Sequence, residues 1–163
     1  MAELQRQYIG TSFQSLDDKG RFVLPLKFRT RIGDTFMVLR GPGPCLLVMD
    51  TEYFARFAGI VAEMPMFDPD TLKTQRLVLG TSEEAKQDGQ GRTQVSQTLR
   101  TIAGIGDGKD IVVIGCGSHI EIWGRAKWEA YAVGHSEEDI GDALARAMAR
   151  AHQSAAAEPP ASN

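Results

Sequence analysis

Five cations stand within thirteen residues of this chain, Lys19, Arg21, Lys27, Arg29 and Arg31, with no acidic residue among them. Ammonium and guanidinium groups at that density neutralise phosphates, and an arginine can also donate two parallel hydrogen bonds to one guanine edge. The formal net charge is −3, so the remainder of the chain carries −8. That asymmetry predicts a local electropositive footprint on a body that repels polyanions elsewhere. The bland alternative is a solvated basic face with no ligand. A second group, Cys116 and His119 in CGSH, would with Cys45 be the parts of a thiol enzyme or a metal site. Three histidines and two cysteines barely suffice for zinc, and no third ligand stands at a motif spacing. Both cysteines therefore read as small buried hydrophobes, and no metal, cofactor or enzymatic activity is expected. GIGDG, Gly104 to Gly108, follows a short helix and lacks a following Lys-Ser or Lys-Thr, so it reads as a connection and not a nucleotide loop.

The elements that must position the cations occur twice. LDDKGRFVLPLKFR, Leu16 to Arg29, shares its skeleton with QDGQGRTQVSQTLR, Gln87 to Arg100. Asp17, Gly20, Arg21 and Arg29 recur as Asp88, Gly91, Arg92 and Arg100 at the single offset of 71. GTS also occurs twice, at Gly10 to Ser12 and at Gly80 to Ser82, which predicts that the strand feeding each turn is duplicated. In both turns the glycine permits a positive φ, which holds Lys19 and Arg21 at an exposed end. An extended run then leads to a short helix opened by Pro25, with Phe28 and Ile32 on one face and Gly33 at its end. In the second copy Ser96 is the cap, Leu99 and Ala103 take the apolar positions, and Gly104 follows.

Downstream, Phe36–Met49 and Ile111–Trp123 each read as two apolar strands around a turn, with His119 in the second turn. The first hairpin leads into a helix capped by Asp50, with Phe54, Phe57, Ala58 and Val61 at helical spacing; the second leads to Trp128 and Tyr131, ending near Gly134. Asp68 and Pro69 open a linking helix carrying Leu72, Val78 and Leu79 and stopping at Gly80. SEEDIGDALARAMARAHQ has a Ser-x-x-Asp cap and an Ile140, Leu144, Met148, Ala151 stripe, predicting a C-terminal helix. The tail from Ser154 lacks core-forming residues and is expected to be disordered. The expected divisions are 1–66 for the first repeat, 67–134 for the linker helix and second repeat, and 135–163 for the C-terminal helix and tail.

A chain of 163 residues, 42% of them hydrophobic, can bury a core unaided. One copy of the unit would leave strand edges exposed, whereas two can cover each other. The expected fold is mainly β with flanking helices, α+β, a small β-barrel of two tandem repeats with pseudo-twofold symmetry and both turns close together. MAELQRQYIG lacks a signal-peptide core, and no apolar stretch approaches the ~18 residues of a membrane span. A cytoplasmic protein without membrane partners is expected.

The D-x-K-G-R at Asp17 to Arg21, Pro25, Arg29, the hairpin with CLLV, the linker TQRLVLG and the second D-x-x-G-R at Asp88 to Arg92 resemble the MraZ family of bacterial transcriptional regulators. Each copy is also similar to the swapped-hairpin half-barrel of the AbrB and MazE group. The resemblance covers Tyr8 to about Tyr131. It implies a nucleoid-associated repressor that binds short G-rich direct repeats of double-stranded promoter DNA, upstream of the division and cell-wall gene cluster, as a ring-shaped homo-oligomer. On this reading Arg21 and Arg92 are candidates to read guanine, while Lys19, Lys27, Arg29 and Arg100 suit phosphate contacts. Asp17, Gly20, Asp88 and Gly91 form the turns. Arg29 and Arg100 could instead pair with Asp17 or Asp88 and brace the turn. Gln97 stands where the family commonly has Pro shortly before the second-copy Arg, and Gln90 replaces the Lys19 of the first copy, which implies unequal roles for the two copies. The alternative within the same barrel group is an antitoxin-like or general nucleoid-binding protein.

Overall fold

The computed structural model describes residues 7–106 and 108–157. The chain divides into two compact units, residues 1–128 and 129–163. In the first repeat β1 (Tyr8–Ser15) and β2 (Arg21–Val23) flank the first turn, followed by α1 (Leu26–Ile32). The hairpin β3 (Thr35–Arg40) and β4 (Cys45–Asp50) leads into α2 (Thr51–Glu63). The linking helix α3 (Pro69–Leu77) and a 3₁₀ turn at Leu79–Thr81 carry the chain to the second repeat. There β5 (Glu83–Lys86), β6 (Arg92–Gln94), α4 (Gln97–Ile102), β7 (Asp110–Gly117) and β8 (Ile120–Gly124) reproduce the same order, and α5 (Arg125–Val133) and α6 (Glu137–Ala157) close the chain.

Six strands form one sheet in the order β1-β7-β8-β4-β3-β5, and β2 pairs with β6 in a separate ladder. Apart from the two hairpins, every ladder between these strands joins one repeat to the other, with one isolated bridge, Gln87 to Thr93, inside the second repeat. β1 runs antiparallel to β7 as β5 does to β3, β4 pairs with β8, and β2 with β6. Exchanging the copies maps this set of pairings onto itself, so the expected pseudo-symmetric α+β repeat fold is present. Neither repeat completes its own sheet.

The core shows why short elements suffice. α1 has seven residues and α4 six, well below the length at which an isolated helix is stable in water. Phe28 and Ile32 of α1 are 2% and 3% exposed, and Leu99 of α4 and the Ala103 after it are buried with them among Phe22, Leu24, Val95 and Ile111. Burying each large apolar side chain contributes ~1.5–3 kcal/mol, so tertiary packing fixes these helices. Ser96 caps α4 by accepting from the Leu99 N–H at 3.2 Å, as its position predicts. Asp50 caps α2 through the Tyr53 N–H at 2.7 Å, and Asp68 caps α3 through the Thr71 N–H at 2.8 Å.

Several expectations need correction. The second GTS is no strand: Gly80 and Thr81 lie in the 3₁₀ turn, where the Thr81 and Ser82 hydroxyls donate to the Leu77 and Val78 carbonyls. Such back-bonding satisfies the end of α3 and delays β5 to Glu83. The linking helix thus ends at Leu77, before Gly80. Pro25 is the cap of α1, which begins at Leu26. Of the α2 stripe only Val61 is fully buried, with Phe54, Phe57 and Ala58 half-buried. In the second unit Ser136 and Asp139 form the expected reciprocal cap of α6. That helix continues through Ala157, so Ser154–Ala157 are helical where disorder is expected; the rest of the tail lies outside the described residues. Alanines are strong helix formers, which explains the extension. Ile140, Leu144 and Met148 of its stripe are exposed.

Candidate nucleic-acid interface

Each bend is built around one carboxylate. Asp17 Oδ1 accepts from the backbone N–H groups of Lys19 and Arg21, both at 2.9 Å, and its Oδ2 accepts from Arg21 Nε at 2.7 Å. Asp88 repeats this with the N–H groups of Gln90 and Arg92 at 2.9 Å and Arg92 Nε at 2.7 Å. The backbone closes identically: Gly20 donates to the Asp17 carbonyl at 2.9 Å and Gly91 to the Asp88 carbonyl at 2.8 Å. Gly20 and Gly91 stand at φ 70° and 74°, the left-handed region that a side chain opposes. The Arg92 N–H, then its guanidinium and the Gln90 N–H, lower the Asp88 carboxyl to about 2. The Arg21 N–H and guanidinium lower Asp17 in the same way.

This arrangement fixes two arginines without exhausting them. With Nε held by the aspartate, the two Nη groups of the planar guanidinium remain as a fork of set orientation. The β2–β6 ladder then puts both forks on one surface. Arg21 pairs with Gln94, Phe22 with Thr93 and Val23 with Arg92. Strand alternation sends Phe22 and Thr93 inward, 4% and 0% exposed, and leaves Arg21, Val23, Arg92 and Gln94 on the opposite face. Arg21 and Arg92 are diagonal neighbours on that face, a relation that separates Cα atoms by ~7–8 Å. A two-stranded ribbon of this kind fits the B-DNA major groove, where ~7 Å covers about two base steps.

The other candidates divide. Lys19 is exposed at the tip of the first bend, where its carbonyl accepts from Gln94 Nε2 at 2.9 Å. Arg29 and Arg100 do not pair with Asp17 or Asp88, which are occupied by Arg21 and Arg92. Each instead lies over the turn of the opposite repeat. A β-carbon added at Gly20 would stand 2.9 Å from Arg100 Cζ, and one added at Gly91 would stand 2.8 Å from Arg29 Cδ. Arg100 also donates to Gln97 Oε1 at 2.6 Å. Among the described residues no carboxylate lies within salt-bridge distance of Lys19, Arg29 or Arg100, so their charge is uncompensated beside the ribbon. Lys27 is not brought to the bends: its ammonium donates to the Ile9 carbonyl of the edge strand β1 at 2.6 Å. Arg31 packs its guanidinium 4.0 Å above the Tyr8 ring.

Gln94 and Gln87 are additions the sequence reading missed. Gln94 shares the exposed ribbon face with Arg21, and alternation along Arg92-Thr93-Gln94 was the available signal. Gln87 Nε2 donates to the Gly33 carbonyl at 2.7 Å and ties the second bend to the end of α1. Cys45 is buried in β4 as expected, but Cys116 at the end of β7 is exposed and not the buried hydrophobe its type suggests. Burial, reinforced by nearby Glu121, pushes the Cys45 thiol up to about 12, so it is no thiolate nucleophile at neutral pH.

A family model described as "MraZ protein, putative antitoxin-like" matches the chain twice, over residues 8–77 and 78–151. The chain is 37% identical over 131 residues to a protein of Saccharopolyspora erythraea named transcriptional regulator MraZ, covering 80% of this chain and 90% of that one. A protein of the same name from Corynebacterium diphtheriae is 39% identical over 124 residues, covering 76% and 85%. One from Acetivibrio thermocellus is 31% identical over 142 residues, covering 87% and 96%.

Proposed function

Because the chain belongs to the MraZ family, we propose that it is a transcriptional regulator that reads double-stranded DNA through the two arginine bends of its β2–β6 ribbon. The observation that carries this reading is the ladder itself, which presents two aspartate-oriented arginine forks side by side on one exposed face. Arg21 and Arg92 donate to guanine O6 and N7 in the major groove, and Lys19, Arg29 and Arg100 supply phosphate contacts around them. Lys27 contributes more weakly, from the edge of β1. The first bend carries Lys19 where the second carries Gln90, so Arg21 dominates and Arg92 assists.

The preferred site is a set of short G-rich direct repeats in the promoter of the division and cell-wall gene cluster, where binding represses transcription. One ribbon makes few contacts, and several copies in a head-to-tail ring gain avidity on tandem repeats of one orientation. The protein acts in the cytoplasm on the nucleoid; no helix among the described residues is long and apolar enough to cross a membrane. The relatives matched carry the name transcriptional regulator.

Footprinting on the genome's own division-gene promoter, with mass measurement in solution, tests this reading. A regulator protects a defined run of repeats and keeps most of its affinity against excess unrelated duplex. Uniform protection lost to that competitor would instead mark a general nucleoid-binding protein.

A further inference from the structure

We propose that Cys116, His119 and Glu121, at the tip of the β7–β8 hairpin, form a binding site for one thiophilic divalent transition-metal ion, with zinc as the natural occupant. One ligand atom from each of the three residues lies within 4.8 Å of the other two. His119 Nε2 stands 3.5 Å from Glu121 Oε1. Tetrahedral zinc, with bonds of ~2.0–2.3 Å, requires ligand atoms ~3.3–3.8 Å apart, so the cluster needs only a small contraction. The hairpin creates this proximity. His119 is the turn residue immediately before β8 and Glu121 is the second residue of that strand, which brings their side chains together, while Cys116 faces His119 across the turn through a backbone bond from the Cys116 N–H to the His119 carbonyl at 2.9 Å. A Cys-x-x-His-x-Glu spacing escapes a search for helical or knuckle motifs.

The groups around the three ligands point the same way. His119 Nδ1 contacts the Ser118 hydroxyl at 3.2 Å, leaving Nε2 directed at the cluster. Glu121 Oε2 accepts from Trp123 Nε1 at 2.7 Å, leaving Oε1 directed at the cluster. Metal-binding histidines and carboxylates are characteristically held by their second atom in this way. A thiol, an imidazole and one carboxylate select against magnesium and calcium, which need mostly oxygen ligands. The metal takes the cysteine as thiolate, so binding releases the thiol proton. Three protein ligands leave a fourth position for water or for a donor from another chain.

The test uses the full chain, stripped with a chelator and titrated with cobalt(II) and then zinc. The expected result is one equivalent of cobalt giving tetrahedral visible bands and a near-ultraviolet thiolate charge-transfer band, both erased by zinc. Cys116→Ser and His119→Gln should abolish the charge-transfer band or weaken binding at least ~10-fold, and Ser118→Ala should weaken it ~10-fold while keeping the bands. Cys45→Ala should retain the full signal. Circular dichroism confirms that each variant is folded; should Cys116→Ser misfold, His119→Gln decides. Absence of the charge-transfer band in the wild type, its persistence in folded Cys116→Ser, or full affinity in folded His119→Gln overturns the proposal. None of these readouts depends on DNA binding.

Discussion

Replacing Gly91 by alanine loads two separable costs onto one bend. The backbone there stands at φ 74°, and holding a β-carbon in that left-handed conformation costs ~1–2 kcal/mol. The new carbon would also lie 2.8 Å from Arg29 Cδ and 2.9 Å from its Cζ, so Arg29 must abandon its place over the turn. Overpacking costs ~1–3 kcal/mol, and the low end applies because a flexible, partly exposed side chain can move away. The expected loss for Gly91→Ala is therefore about 2–3 kcal/mol. In an Arg29→Ala background only the backbone cost remains, so the double-mutant cycle should give a coupling of about 1 kcal/mol. Urea unfolding of the four proteins at one protein concentration measures it, with unchanged m-values as the check that midpoints report stability. Gly20→Ala with Arg100→Ala is an internal replicate, since Arg100 Cζ and Nε would stand 2.9 and 3.1 Å from the added carbon. Additivity within ~0.3–0.5 kcal/mol in both cycles would refute the idea that each helix arginine braces the turn of the opposite repeat.

Other perturbations test neighbouring links. The depressed carboxyls of Asp17 and Asp88 stabilise the bends fully above the ordinary value of 3.8 and lose that contribution as pH falls toward about 2, the folded value of Asp88. The protection of Arg92 Nε–H, its exchange relative to free arginine at the same pH, should fall between pH 5 and 2, and protection that stays constant over that window would contradict the bonding described. Asp88→Asn removes the acceptor that orients Arg92 and should lower operator affinity while the protein stays folded; unchanged affinity would show that orientation is not needed. Asp50→Ala should cost ~1 kcal/mol of stability through the α2 cap and leave operator affinity unaltered, which separates fold from interface. Lys19→Ala should reduce the slope of log K against log salt by ~0.9, the signature of one lost phosphate contact.

The repeat was legible because turn chemistry is local. A D-x-x-G-R run fixes its own hydrogen bonds, so two copies at one offset had to make two equivalent bends, and Phe28, Ile32, Leu99 and Ala103 announced the buried faces of their helices. The aspartate and glycine roles followed from the same five residues. What the sequence withheld was which copy covers which. Arg29 and Arg100 are each far in sequence from the glycine they overlie, and no local rule distinguishes that from pairing with their own aspartate. Lys27 belongs to the same basic run as Arg29, yet the turn of α1 carries it to the β1 edge. The second GTS became a 3₁₀ turn because serine and threonine hydroxyls compete for helix carbonyls, and a three-residue match does not reveal that competition. Glu121 stayed unread beside Cys116 and His119 because its proximity depends on hairpin register.

Operator binding by single arginine variants tests the central claim most directly. Fluorescence anisotropy of the full chain, at physiological salt with excess unrelated duplex, compares wild type, Arg21→Ala and Arg92→Ala on a duplex carrying tandem G-rich repeats. A bidentate arginine–guanine pair is worth ~1–3 kcal/mol, about 5- to 150-fold in affinity for each site lost. The account predicts that Arg21→Ala reduces binding to the level of the unrelated duplex and that Arg92→Ala weakens it within that range. Wild-type affinity in both folded variants would contradict it.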